Sequence, residues 1–241
     1  MKFKEFIRRT LFYLSVPECV SCREKLDVND AALCGRCLDK FVIHKERTCS
    51  VCFNTYDKCV CVNEVLRKGG VKRLIKCYRY VTYEDTLPSN SLIYSLKRDN
   101  RRDVLSFLSK ELSVAIRNGI AVYEDYFITN VPRRKRSIIK YGFDHTTLLA
   151  KAVAKELNIP YVKTLKSLAK HSQKKLSHKQ RGENARFKAI SKKRVENNRF
   201  IIIDDVVTTG ASMVSSAKSL KSFGAKSVVG ATIAIAYPDN N

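Results

Sequence analysis

The chain has 241 residues, of which 44% are hydrophobic, enough for one α/β-sized domain and a smaller module. Lysine and arginine number 46 against 23 acidic residues, and the resulting net charge of +23 favours polyanionic partners, although a lysine-rich composition without functional meaning gives the same total. No stretch reaches the roughly 18 apolar residues of a membrane-spanning helix, so we expect a protein that is not integral to a membrane.

The first sixteen residues, MKFKEFIRRTLFYLSV, join basic residues to a short apolar stretch. This stretch is too short for a secretory signal peptide and is not followed by a small-residue cleavage site. We interpret it as a short amphipathic helix or strand, and we expect a cytoplasmic protein.

Eight of the nine cysteines lie between residues 19 and 61, in closely spaced pairs typical of zinc sites in reducing compartments. The pairs are Cys19/Cys22, Cys34/Cys37, Cys49/Cys52 and Cys59/Cys61. The simplest partition gives two structural zinc sites, one from the first four cysteines and one from the last four, while a crossed pairing stays open. Because Cys59-x-Cys61 is one residue shorter than the usual pair, the second four hold either a second zinc ion or only buried thiols.

The cysteines divide the chain. Residues 1–65 are predicted to form a zinc-binding module that is too small to bury a core without metal. Lys68-Gly69-Gly70 marks its end, and residues 71–241 are predicted to form the second domain.

The second domain alternates strand-like and helical segments, which predicts an α/β fold with a parallel sheet. The predicted strands are 71–83, 126–131, 160–162, 199–205 and 227–236. The predicted helices are 90–117 with an interruption near 98–100, 144–157 and 212–223. Ligands of such sheets bind at the carboxyl ends of the strands.

The segment RFIIIDDVVTTGASM, residues 199–213, carries the clearest chemical pattern. An apolar strand runs into Asp204 and Asp205, and a loop rich in hydroxyl groups leads to a helix. Loop amides at a helix N-terminus bind phosphate, Gly210 permits close approach, and the carboxylates accept hydrogen bonds from ribose hydroxyls. In the alternative interpretation this is an ordinary turn in which Ser212 caps the helix.

This run resembles the phosphoribosyl-pyrophosphate (PRPP) motif of type I phosphoribosyltransferases. The resemblance implies that Asp204 and Asp205 are catalytic and contact the ribose, and that Mg²⁺ accompanies PRPP. It further implies that the 5′-phosphate is bound by Thr208, Thr209, Gly210, Ala211 and Ser212, and that Val206 belongs to the PRPP-binding residues. In these enzymes the pyrophosphate loop follows a strand such as 126–131, which assigns Arg133 and Arg134 to PRPP binding unless they belong to a solvated charge run.

A second basic segment, residues 163–194, contains twelve lysines and arginines and one acidic residue. We expect a long loop over the sheet edge with little core, serving as a lid on PRPP, as a nucleic-acid contact, as both, or as a merely disordered connection. The candidate nucleic-acid contacts are Lys174, Lys175, Lys179, Arg181 and Arg186.

Nearly the whole chain resembles the ComF family of competence proteins. The resemblance rests on the cysteine pairs, on Tyr141-Gly142-Phe143-Asp144 where the family has Arg-Gly-Phe-Asn, on Gln173, Arg181, Asn184 and Phe187, and on the acidic and hydroxyl-rich motif. It implies a double zinc-ribbon-like module ahead of a phosphoribosyltransferase domain, with a role in natural competence and in handling incoming single-stranded DNA. Competence or DNA-uptake proteins are then candidate partners.

Two kinds of function remain in competition. One is an enzyme that transfers phosphoribosyl from PRPP to an unknown nitrogen acceptor. The other is a non-catalytic module that senses PRPP or binds nucleic acid. Asp204 and Asp205 repel phosphates, so a purely DNA-binding site gains nothing from them, and they favour a retained PRPP site. A PRPP-sensing transcriptional regulator is disfavoured because no helix-turn-helix pattern is present.

Overall fold

The computed structural model describes residues 17–28, 30–80, 87–133, 138–139, 142–167 and 187–236, and every statement below concerns these ranges. The helices are α1 (Gly35–Lys45), α2 (Glu64–Lys68), α3 (Pro88–Arg98), α4 (Arg102–Gly119), α5 (His145–Leu157) and α6 (Ala211–Ser222). The strands are β1 (Leu74–Arg79), β2 (Tyr126–Asn130), β3 (Leu165–Ser167), β4 (Phe187–Ala189), β5 (Arg199–Val207) and β6 (Ser227–Ile235). Within these ranges no helix combines the length and the apolar character needed to span a bilayer.

Four strands form a parallel sheet in the order β1-β6-β5-β2, which confirms the predicted fold class. Alternate residues of β5 enter different cores, because side chains of a strand point to opposite faces. Ile201 and Ile203 pack with α3, α4 and α5, whereas Phe200 and Ile202 pack with α6. The sheet is therefore covered on both faces, as parallel sheets require.

The elements between β2 and β5 differ from the prediction. The expected strand at 160–162 is reduced to a single bridge between Ile128 and Tyr161. The predicted loop at 163–194 is wrong at its two ends, because β3 and β4 pair antiparallel and bury Leu165 and Ala189. The amide of Ala189 donates to Ser219 Oγ of α6 at 2.8 Å, which fixes this small sheet against the helix.

The end of β5 also differs. The strand was expected to end at residue 205, but it continues to Val207, which pairs with Ile235 of β6. Asp204 and Asp205 therefore lie within the paired part of β5 rather than after it.

The cysteine-rich segment packs directly on the sheet domain. Phe41 of α1, 1% exposed, makes edge-to-face ring contacts with Tyr78 of β1 and Phe107 of α4, at centroid distances of 5.5 and 5.2 Å. Cys19, Cys34 and Cys37 belong to the same core cluster as the sheet face under α4 and α5. The division of the chain at residues 65 and 71 stays a prediction, and one continuous core crosses it.

Candidate functional site

The cysteines form two separate clusters of four. In each cluster all four sulfur atoms lie within 4.8 Å of one another. The members are Cys19, Cys22, Cys34 and Cys37 in the first cluster and Cys49, Cys52, Cys59 and Cys61 in the second. A tetrahedral zinc centre with Zn–S bonds of about 2.3 Å places its sulfurs about 3.8 Å apart, so both clusters suit this ion. The simplest partition is confirmed, and the short Cys59-x-Cys61 pair completes a four-cysteine cluster.

The first and third cysteine pairs have the same backbone construction. The amide of Arg23 donates to the carbonyl of Cys19 at 3.0 Å, and the amide of Phe53 donates to the carbonyl of Cys49 at 2.9 Å. Both of these following residues have a positive φ, 65° and 58°, and each pair is flanked by one antiparallel bridge. The two clusters are thus built from one repeated turn.

The acidic pair, Asp204 and Asp205, lies in the sheet near the carboxyl end of β5. Asp205 is 9% exposed and its Oδ2 contacts His145 Nε2 of α5 at 2.8 Å and Lys97 Nζ of α3 at 3.4 Å. Asp204, the next residue in the strand, is half-buried, and its Oδ1 accepts the amide of Asp205 at 3.0 Å. Helices from both crossover connections therefore hold one carboxylate in place.

The two carboxyl groups differ in their tendency to ionise. Burial, followed by the charge of Asp205, raises the pKa of Asp204 well above its usual range. Burial also acts to raise the pKa of Asp205, but the hydrogen bond from His145 and the charge of Lys97 outweigh it and hold this pKa below its usual range. Asp205 is the carboxylate that carries the charge, and Asp204 is the one that takes up a proton first.

His145 joins Asp205 to the segment after β2. Nη1 of Arg133 contacts both ring nitrogens of His145, at 2.8 Å for Nε2. If Nε2–H donates to Asp205, only Nδ1 is left to accept from Arg133, so this network sets the imidazole tautomer. His145 is 1% exposed, and its burial makes the arrangement part of the fold.

The segment from Thr208 to Ser212 forms the turn between β5 and α6. Gly210 is the N-cap of α6 with a φ of 84°, and as a glycine it has no side chain to cap this helix. Ser212 lies inside the first turn of α6, so the alternative in which Ser212 caps the helix is wrong. Thr208 is exposed, and Thr209 Oγ1 accepts the amide of Ala211 at 3.4 Å. The turn presents hydroxyl groups and helix N-terminal amides at the edge that holds Asp204 and Asp205.

Six of the predicted site residues lie outside the described residues. They are Arg134, Lys174, Lys175, Lys179, Arg181 and Arg186. Of the predicted pyrophosphate contacts, Arg133 lies beside the acidic pair through His145. Asp144 caps α5 through its Oδ1, which accepts the amide of Thr147 at 3.1 Å.

Four polar residues beside the acidic pair or beside the second cysteine cluster were not singled out from the sequence. They are His145 and Lys97 beside Asp205, and Lys76 and Asn63 beside the second cluster. Lys76 did leave a signal, because a lysine between Ile75 and Cys77 interrupts an apolar strand. The others are recognisable only through partners distant in sequence.

The known proteins similar to this chain include a phosphoribosyl transferase domain family and proteins named for competence and DNA utilization. Residues 147–240 match the phosphoribosyl transferase domain family. Competence protein F of Haemophilus influenzae is 24% identical over 220 residues, 87% of this chain and 93% of that protein. DNA utilization protein YhgH of Escherichia coli (strain K12) is 29% identical over 156 residues, 62% of this chain and 69% of that protein.

Among solved structures, glutamine phosphoribosylpyrophosphate amidotransferase from B. subtilis, complexed with ADP and GMP, is similar with a TM-score of 0.40 and 21% identity. That similarity covers 58% of this chain and 30% of the amidotransferase chain. The fold assignment rests on the family match and the parallel sheet.

The C-terminal part of the chain is thus a phosphoribosyltransferase domain of type I fold, preceded by cysteine clusters suited to zinc. The chain as a whole is a ComF-like protein, a homologue of competence protein F, and the family resemblance predicted from its motifs is confirmed.

Proposed function

We propose that this protein binds PRPP, with Mg²⁺, at the carboxyl end of β5. The observation that carries the proposal is the meeting of Asp204 and Asp205 with the N-terminus of α6, which begins after Gly210, at one edge of the sheet. Helix amides and the hydroxyls of Thr208 and Thr209 suit a 5′-phosphate, and the carboxylates suit ribose hydroxyls. These are the two chemical groups that PRPP presents side by side.

The cations around the acidic pair suit the pyrophosphate of the same ligand. Lys97 of α3 lies 3.4 Å from Asp205, and Arg133, in the segment after β2, contacts His145, which in turn contacts Asp205. Mg²⁺ supplies charge neutralisation of the pyrophosphate oxygens when it is bound. Asp205, already held by His145, positions the site, while Asp204 is the carboxylate left to turn towards the ribose.

A transfer reaction is the enzymatic form of this proposal. The leaving pyrophosphate would be stabilised by the cations, and the positive charge that develops on the ribose would be stabilised by the carboxylates. The acceptor would be a nitrogen compound. A PRPP sensor without catalysis is the alternative, and it shares the same binding site.

Calorimetry of the full chain with PRPP, with and without Mg²⁺, tests the binding. We expect Asp204→Asn to weaken PRPP binding by roughly 1–3 kcal/mol, because a carboxylate acceptor is lost. Wild-type affinity should fall as the pH drops through the raised pKa of Asp204, and this dependence should be absent from the variant. Asp125→Asn is the matched control, since Asp125 pairs with Arg199 at the opposite end of β5.

Wild-type protein that gives no heat with millimolar PRPP in the presence of Mg²⁺ would reject the proposal, and so would equal losses from Asp204→Asn and Asp125→Asn.

We propose single-stranded DNA as a second ligand, supported by the net charge of +23 and by relatives named for competence and DNA utilization. Affinity should fall steeply with salt as counterions are released. Charge reversal at Lys174, Lys175 and Lys179 should weaken binding more than reversal at three exposed helix lysines, Lys40, Lys110 and Lys218. Equal losses in fluorescence anisotropy would mean that net charge alone accounts for the binding.

A further inference from the structure

The second cysteine cluster is tied to the sheet by a buried lysine. Lys76 of β1 is 1% exposed, and its Nζ donates to the carbonyls of Cys59 at 2.9 Å and Cys61 at 3.1 Å. A buried ammonium group is stable only when its hydrogen bonds and charge are met. Backbone carbonyls meet the hydrogen bonds, and four thiolates around a zinc ion would supply the opposite charge. These hydrogen bonds attach the short Cys59-x-Cys61 pair to β1.

Two residues after Cys61, the chain reaches the proposed phosphate loop. Asn63 caps α2, its Oδ1 accepting the amide of Leu66 at 2.9 Å. Its Nδ2 donates to the carbonyl of Thr209 at 3.2 Å, across 146 residues of sequence. One side chain therefore starts the helix after the cysteine cluster and holds the middle of the 208–212 turn.

Packing reinforces this hydrogen bond. Leu66 of α2 is fully buried and lies against Gly210, where an added Cβ would be 2.6 Å from Leu66 Cγ. Gly69 lies equally close to Val214 of α6, and Lys221 Nζ donates to the carbonyl of Gly70 at 2.7 Å. The positive φ of Gly210 and its missing side chain are both needed for the turn to meet α2.

We propose that the second cysteine cluster is a positioning element for the 208–212 turn and acts through Asn63. Metal at this cluster and ligand at the turn would then bind with positive coupling, because each orders the segment from Cys61 to Gly69 that the other uses. The ligand part of this proposal rests on the proposed function, whereas the mechanical part concerns the protein without PRPP.

Asn63→Ser separates the two roles of this side chain, since serine still caps α2 but cannot reach Thr209. In hydrogen exchange without PRPP, we expect peptides covering 208–213 to exchange several-fold faster in Asn63→Ser and in Cys61→Ser than in wild type. Zinc content of Asn63→Ser should stay at the wild-type value. Glu64→Gln, on the exposed side of the same short helix, is the control and should leave this exchange unchanged.

A second measurement addresses the ligand. If wild type binds PRPP, Asn63→Ser should bind it about 3- to 10-fold more weakly with its zinc content intact, as expected for one lost hydrogen bond to the turn. Unchanged exchange at 208–213 in both variants would overturn the positioning role whatever PRPP does. Absence of PRPP binding by wild type would overturn the proposed function, while the exchange result would still decide the mechanical proposal.

Discussion

The two cysteine clusters share one repeated turn but lie in different surroundings. The first is embedded in the large core, where Cys37 is 4% exposed and α1 packs Phe41 against Tyr78. The second has a small core of its own, formed by Cys49, Tyr56 and Cys59. Hydrogen bonds of Lys76, Arg79 and Asn63 join it to the sheet domain, together with the packing of Leu66 against Gly210. We infer that the same cysteine motif supports the fold in one place and the candidate site in the other.

If both clusters hold zinc, this difference in surroundings predicts different roles for two sites of nearly the same ligand spacing. A cluster surrounded by apolar side chains contributes its binding energy to global stability. We expect a cluster joined to a turn by a hydrogen bond, as the second cluster is through Asn63, to restrict the motion of that turn.

The largest expected effect comes from removing a ligand of the first cluster. Cys37→Ser should lose one zinc ion per chain and destabilise the whole chain by at least about 5 kcal/mol, because structural zinc in small modules supplies energies of that order. Cys61→Ser should also lose one zinc ion but leave the main thermal transition nearly in place. Circular dichroism melts with elemental analysis would show this, and equal losses of stability would remove the distinction between the clusters.

A smaller effect is expected at the lysine behind the second cluster. Lys76→Met keeps the apolar stem but leaves the carbonyls of Cys59 and Cys61 without their donor, a loss of about 1–3 kcal/mol. It should lower zinc occupancy from two ions towards one. Lys45→Met is the matched control, because Lys45 is a half-buried lysine of α1 that pairs with Glu111 at 2.8 Å. Loss of zinc from the control variant, or full zinc in Lys76→Met, would contradict the account.

Local patterns predicted much of this molecule. The start of β5 and the bounds of α5 and α6 follow from apolar periodicity and turn residues to within one residue, and the break between α3 and α4 falls at the predicted polar residues 98–100. Spacing suggested the cysteine partition as the simplest one and left a crossed pairing open, and the structure groups the cysteines in the simplest way. These features depend on neighbours in sequence, which a single chain displays directly.

What the sequence did not reveal depends on distant partners. His145 meets Asp205 across 60 residues, and the reason for its burial lies in another element of the fold. The small sheet of β3 and β4 escaped prediction because each strand has only 3 residues and carries basic side chains. α1 was missed because it begins inside the Cys34-x-x-Cys37 pair, where the metal pattern dominates the sequence.

If the second cluster, and not the first, serves the proposed PRPP site, bound PRPP should protect the cysteines of the second cluster alone. Coupling is reciprocal, so PRPP that orders the 208–212 turn must also stabilise the cluster joined to it. Wild-type protein is treated with a zinc chelator and an alkylating reagent, with and without PRPP, and labelling is followed by mass spectrometry. We expect PRPP to slow labelling of Cys52 and Cys61 several-fold and to leave labelling of Cys22 in the first cluster unchanged. Equal slowing at both clusters, or none at Cys52 and Cys61 while PRPP is bound, would contradict it.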